Sequence, residues 1–149
     1  MIITDTVSAI LNHKGAQIWS IPPEMMVFDA IQLMADKNVG ALLVMSGDKL
    51  LGVMSERDYT RKVALKGKSS KQTPVKEILS SSVITASPAH TIEDCMRLMT
   101  ENRVRHLPIL DSDKVAGIVS IGDLVNWIIS AQSVAIDQLE NYISGRYPG

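Results

Sequence analysis

The chain carries its own copy. Shifted against itself by 65 residues, Pro23 falls on Pro88, Asp29 on Asp94, Leu33-Met34 on Leu98-Met99, Val39 on Val104 and Leu42 on Leu107. Asp48-Lys49 meets Asp113-Lys114, and Gly52, Ser55 and Asp58 meet Gly117, Ser120 and Asp123. These make 11 identities over the 36 positions from Pro23 to Asp58, without a gap. A period of this length marks a duplicated supersecondary unit that buries its apolar face against its copy. Two copies also make two equivalent grooves, and grooves between packed units are natural ligand sites.

The total of 149 residues fits one compact unit. Copies of about sixty residues would be marginal alone, because small units bury too little surface, so the two are expected to fold together. A formal charge of −1 argues against a general nucleic-acid binder, which carries a basic excess. Cys95 is the single cysteine, which rules out an internal disulfide, and its place in an apolar helical stripe reads as a small buried hydrophobe. Met1 to Leu11 has acidic Asp5 and no basic start, unlike a secretion signal. The longest apolar run, Ala41 to Met45, is far too short to span a bilayer. The expectation is a soluble, cytoplasmic protein with no nucleic-acid or membrane partner.

Each copy repeats one order of elements. A short helix comes first, over Val7–Leu11 and again over Val75–Leu79; the offset here is 68, so copy one has three extra residues near Asn12 to Ala16. An extended piece ending in proline follows, Ile18–Pro22 or Val83–Pro88. Then Val27, Ala30, Ile31 and Met34, and Ile92, Cys95, Met96 and Met99, recur at helical spacing. Thr91 and Asp94 form a capping-box-like start, whereas copy one has Met26 at the cap position. Two aliphatic runs joined by a turn predict a strand hairpin in each copy, Ala41–Met45 with Leu50–Met54 and His106–Leu110 with Val115–Val119. A final helix follows Ser55 and Ser120, and residues 65–74 read as a polar loop. Ile136, Leu139 and Ile143 at helical spacing place a further helix near the end, packed on the body or on a partner chain.

This order, closed twice by Gly-x-x-Ser-x-x-Asp (Gly52 to Asp58, Gly117 to Asp123), resembles the CBS domain. Val39-Gly-Ala-Leu42 and Val104-Arg-His-Leu-Pro108 match it as well. The chain is similar in particular to small stand-alone two-CBS proteins of bacteria and plants. The resemblance implies an α/β (α+β) tandem pair, a Bateman module of two β-α-β-β-α repeats with pseudo-twofold symmetry. On this reading residues 5–64 are repeat one, 65–74 a linker, 75–130 repeat two, and 131–149 a C-terminal helix and tail. It further implies an adenine-nucleotide ligand (AMP, ATP or NAD) held between the copies, a homodimer, and an unknown regulated protein.

The residues allow that chemistry. Asp58 and Asp123 each stand at a helix start, where a carboxylate accepts from two neighbouring hydroxyls such as a ribose presents. A hydrogen bond to a charged group contributes about 1.5–3 kcal/mol. A helix-capping role competes for both aspartates, and equally for Ser55 and Ser120. The family's grooves join the Ser/Asp end of one copy to the Val-x-x-Leu segment of the other. Carried over, groove one holds Ser55, Arg57, Asp58, Val104, Arg105 and His106, with Val53 and Ile84 as aliphatic walls. Groove two holds Ser120, Gly122, Asp123, Val39, Gly40 and Ala41, with Ile118 and Ile18 as walls. Two arginines and a histidine make groove one the stronger expected phosphate site, since a guanidinium fork matches phosphate. Groove two lacks matching cations in this reading.

His13, His90 and His106 show no ligand spacing with Cys95 or an acidic pair, so no metal site is expected. Neither a Gly-x-x-x-x-Gly-Lys loop nor a nucleophile elbow occurs. The chain therefore reads as a regulatory nucleotide-binding module sensing energy or redox state, and not as an enzyme; the alternative is a structural dimerisation module without a ligand.

Overall fold

A computed structural model describes residues 5–15, 18–80 and 82–143, and within them the repeat becomes two hairpin-and-helix units. The elements run α1 (Val7–Lys14), β1 (Ser20–Ile21), α2 (Val27–Lys37), β2 (Ala41–Ser46), β3 (Lys49–Ser55) and α3 (Glu56–Tyr59). A π turn over Thr60–Ala64 and a 3-10 turn over Val75–Glu77 lead to α4 (Ile92–Asn102), β4 (His106–Asp111), β5 (Lys114–Ser120) and α5 (Ile121–Ile143). Residues 144–149, the rest of the expected tail, lie outside the described residues.

The hairpins form where aliphatic runs meet turn residues. Gly47 takes φ +60° in one turn, and Ser112 and Asp113 take φ +50° and +69° in the other. Both hairpins shift register at the same point, between Val44 and Met45 and between Ile109 and Leu110. Antiparallel pairing sets Ala41 opposite Ser55 and His106 opposite Ser120, which brings each serine to the base of the opposing strand. The extended piece of copy one pairs in parallel with β2, Ser20 with Leu43 and Ile21 with Val44. In copy two it shrinks to a single bridge, Ala86 with Ile109. Helices α2 and α4 both end on a left-handed residue, Asn38 and Arg103, each at φ +54°. The capping box of Thr91 and Asp94 is formed, and Met26 gives no side-chain cap.

The units exchange their first helices. Val7 and Ile10 of α1 are buried in the core of copy two, with Ile92, Cys95, Leu107, Ile109, Val119 and Leu124. Val75 and Ile78 are buried in the core of copy one, with Val27, Met34, Leu42, Val44 and Met54. Backbone bonds fasten both exchanges in matching fashion: Ile92 N donates to the Asp5 carbonyl at 2.9 Å, and Val27 N to the Thr73 carbonyl at 2.8 Å. Each exchanged leucine lies on a strand glycine. A Cβ at Gly117 would come within 2.7 Å of Leu11 Cδ2, and one at Gly52 within 3.2 Å of Leu79 Cδ2. The glycine that opens each Gly-x-x-Ser-x-x-Asp motif therefore makes room for the leucine of the other copy's first segment.

Two expectations change. The helix expected over Val75–Leu79 is only one 3-10 turn. The helix after Ser120 runs unbroken from Ile121 to Ile143, so the further helix expected near the end is its continuation. Cys95 is fully buried; burial, and then the nearby Asp94 carboxylate, push its thiol up to about 11, which keeps it protonated and inert.

Candidate functional site

Both serine–aspartate pairs are built by the strand-to-helix junction. Ser55 is the N-cap of α3: its Oγ accepts from Asp58 N at 3.2 Å, and Asp58 Oδ2 accepts from Ser55 N at 2.9 Å. Ser120 and Asp123 repeat this at 3.1 and 2.9 Å. The capping role is thus realised in both copies, and it fixes each carboxylate against its serine at the helix start. Lys62 Nζ lies 3.4 Å from Asp58 Oδ1 along the same helix and donates to the Ile78 carbonyl at 2.9 Å.

Groove one is a cavity of about 590 Å³. It collects Val53, Ser55, Arg57, Asp58, Ile84, Val104, Arg105 and His106, the whole set named for it from the sequence. Arg61, Lys62 and Arg103 join them, as do Ser80, Ser82 and Glu56. Five cationic side chains thus face two carboxylates (Glu56 and Asp58), a local excess of three positive charges. Sequence reasoning missed Arg61 and Lys62, although each lies one helical turn beyond Arg57 and Asp58. Arg103 escaped notice because its left-handed backbone turns the chain from α4 into the groove wall.

Groove two is smaller, about 410 Å³. Val39, Gly40, Ala41, Ile118 and Ser120 line it as expected, while Ile18, Gly122 and Asp123 do not. Trp19 stands where Ile18 was expected. The strand register explains this: Ile21 pairs with Val44 as Ala86 bridges to Ile109, so the counterpart of Ile84 is Trp19, and a slip of one residue along a strand changes the face. Lys37 Nζ sits over the Trp19 ring, 4.5 Å from its centroid. Asp123 is engaged by Lys14, whose Nζ lies 2.8 Å from Oδ2 and donates to the Ile118 carbonyl at 2.9 Å. Burial works to raise the Asp123 carboxyl, but Lys14 and Ser120 hold it below the ordinary carboxylate value. The expectation of a groove without cations is corrected, because Lys14 and Lys37 both line it.

His106 was assigned to groove one, yet it lines both cavities, as does Gly40. A Cβ on Gly40 would lie 3.5 Å from His106 Nε2, so the grooves meet at this pair. Burial first, and then the Lys14 ammonium, push the imidazole below its ordinary pKa, against the pull of Asp123. The shift favours the uncharged imidazole.

The sequence model of the CBS domain matches residues 7–65 and 75–130. This chain is a CBS-domain protein. Its tandem repeat is the pair of CBS domains. It is 36% identical to the CBS domain-containing protein CBSX3, mitochondrial, of Arabidopsis thaliana, across 95% of this chain and 73% of that one. It is 30% identical to the CBS domain-containing protein YhcV of Bacillus subtilis, across 93% and 91%. Among solved structures, a protein with CBS domains assigned to signal transduction, from Burkholderia ambifaria, superposes with a TM-score of 0.82 at 48% identity, covering 85% of this chain and 96% of that one. Among the described residues of this CBS pair, no helix is long and apolar enough to cross a membrane, and no three His, Cys, Asp or Glu side chains gather as metal ligands.

Proposed function

We propose that this CBS pair is a non-enzymatic regulatory module of the signal-transduction type that binds an adenine nucleotide in groove one and reports cellular energy or redox state to a partner protein. The observation that carries the reading is the makeup of that cavity. Val53, Ile84 and Val104 offer aliphatic walls for a flat base, Asp58 stands ready for sugar hydroxyls, and Arg57, Arg61, Lys62, Arg103 and Arg105 supply a cationic end for phosphates. Its volume lies within the range of small-molecule pockets. The ligand touches both CBS domains, so it favours one relative arrangement of them and shifts the population that a partner meets.

A thermal-shift panel of adenosine, AMP, ATP and NAD tests this. Ligand at a hundred times its dissociation constant stabilises the fold by about 2.7 kcal/mol. Unchanged melting across the panel would instead support a structural dimerisation module without a ligand, and conversion of the bound nucleotide to product would overturn the non-enzymatic reading.

The proposed assembly is a homodimer formed through α5. Leu124, Trp127 and Ile128 turn one side of this helix onto the body. On the other side Val125, Ile129, Ile136 and Leu139 are 39%, 54%, 56% and 59% exposed, with exposed Gln132 between them. Their spacing of four, three, four and three residues is a heptad seam, which needs a facing helix of the same period. The seam carries no charge, and an amide both donates and accepts, so Gln132 is satisfied by its own counterpart. A second copy of the chain meets both conditions. Ile136→Asp combined with Leu139→Asp is expected to convert the dimer to monomer in light scattering; an unchanged mass would place the interface elsewhere.

A further inference from the structure

The two grooves differ at one corner in a way the repeat explains. After the exchanged leucine of copy two come Ser80 and Ser82, short side chains that line groove one. After the equivalent Leu11, copy one has its three extra residues, and α1 continues to Lys14 before Gly15 stops it at φ +91°. The longer connection delivers an ammonium into groove two. Lys14 Nζ donates to Asp123 Oδ2 at 2.8 Å and to the carbonyl of Ile118 at 2.9 Å. The counterpart of Ile118 in groove one is Val53. Lys62 there pairs with Asp58 Oδ1 at the longer distance of 3.4 Å, and its hydrogen bonds go to the Ile78 carbonyl and Ser80 Oγ.

We infer that Lys14 is a resident occupant of groove two, and that it limits each chain to one nucleotide. The inference rests on the nucleotide reading of groove one. A ribose can bind Asp123 only by donating its hydroxyls to a carboxylate that Lys14 already holds. A base edge seeking the Ile118 carbonyl meets the same ammonium. Lys14 thus satisfies, from within the protein, both the carboxylate that answers to Asp58 and a strand carbonyl of the wall of groove two. Displacing Lys14 would part an ammonium from a half-buried carboxylate held at 2.8 Å and break its bond to the Ile118 carbonyl, whereas the Lys62–Asp58 pair of groove one is longer, at 3.4 Å. The three-residue insertion is what makes a duplicated pair of sites unequal.

Isothermal titration with AMP tests this on the wild type, on Lys14→Met, and on Lys14→Met combined with Asp58→Ala. The methionine keeps most of the side-chain length and removes the charge. The expected stoichiometry is about one per chain for the wild type and about two for Lys14→Met. The double variant should return to about one, now in groove two. Two sites in the wild type, or one site in a Lys14→Met protein whose circular dichroism is unchanged, would overturn the inference while leaving the nucleotide reading intact. Absence of binding in all three proteins would overturn both.

Discussion

Alanine at both Arg57 and Arg105 is expected to weaken ATP binding about a hundredfold or more, while adenosine binding changes by less than about threefold. The two guanidinium groups enter groove one from different copies, Arg57 from the start of α3 and Arg105 from the residue before β4. Both are exposed at its mouth, so each contribution belongs at the low end for a charge-assisted hydrogen bond, about 1.5 kcal/mol. Together they amount to about 3 kcal/mol, and about 1.4 kcal/mol is a factor of ten in affinity. Arg61, Lys62 and Arg103 remain and keep the groove basic. Because exposed charges are screened by salt, wild-type affinity for ATP should fall as salt rises, and the variant should lose part of that dependence. Adenosine lacks phosphates and is expected to depend on Asp58 and on the walls at Val53, Ile84 and Val104. Calorimetry with both ligands at two salt concentrations decides the matter. Equal losses for ATP and adenosine would mean that the arginines support the fold of the groove and do not meet phosphate. Asp58→Ala supplies the contrast: it should weaken both ligands alike, and it also removes the returning half of the Ser55 capping box.

The sequence made the repeat legible because apolar periodicity and turn chemistry are local. The helices at Val27 and Ile92, the hairpins, and the Thr91–Asp94 box stand where those signals put them. All eight residues named for groove one lie around one cavity, since both halves of the groove are anchored to the strand ends that the repeat aligns. Groove two was less legible. Its difference comes from an insertion that carries Lys14 toward Asp123, 109 residues away in sequence, and no local pattern encodes a contact of that range. Trp19 was missed through a one-residue slip in a strand only two residues long, where alternation has too few positions to show itself. The exchange of first helices was hidden for another reason. An apolar stripe states that a helix must be covered, and it does not say by which of two similar cores.

That exchange gives the second large prediction, because it separates where a residue sits in the sequence from what it stabilises. Ile10 lies in repeat one by sequence but is 4% exposed within the core of repeat two, and Ile78 is its mirror image. Ile10→Ala is expected to cost about 2–5 kcal/mol, the range for truncating a buried aliphatic side chain to alanine. A protein of this size is commonly stable by only about 5–15 kcal/mol, so the midpoint of urea unfolding should drop markedly. The location of the damage is the sharper test. Amide hydrogen exchange should accelerate first in β4 and β5, whose inward residues Leu107, Ile109 and Val119 share the core with Ile10. Ile78→Ala should instead loosen β2 and β3, around Leu42, Val44 and Met54. If Ile10→Ala loosened β2 and β3 while β4 and β5 stayed protected, α1 would be packed on its own repeat and the exchange would be wrong. The same linkage bears on groove one. Arg57 and Asp58 rise from a unit whose core needs Val75 and Ile78, while Val104 and Arg105 rise from one whose core needs Val7 and Ile10. Each wall of the groove is therefore held in place by a segment of the opposite repeat.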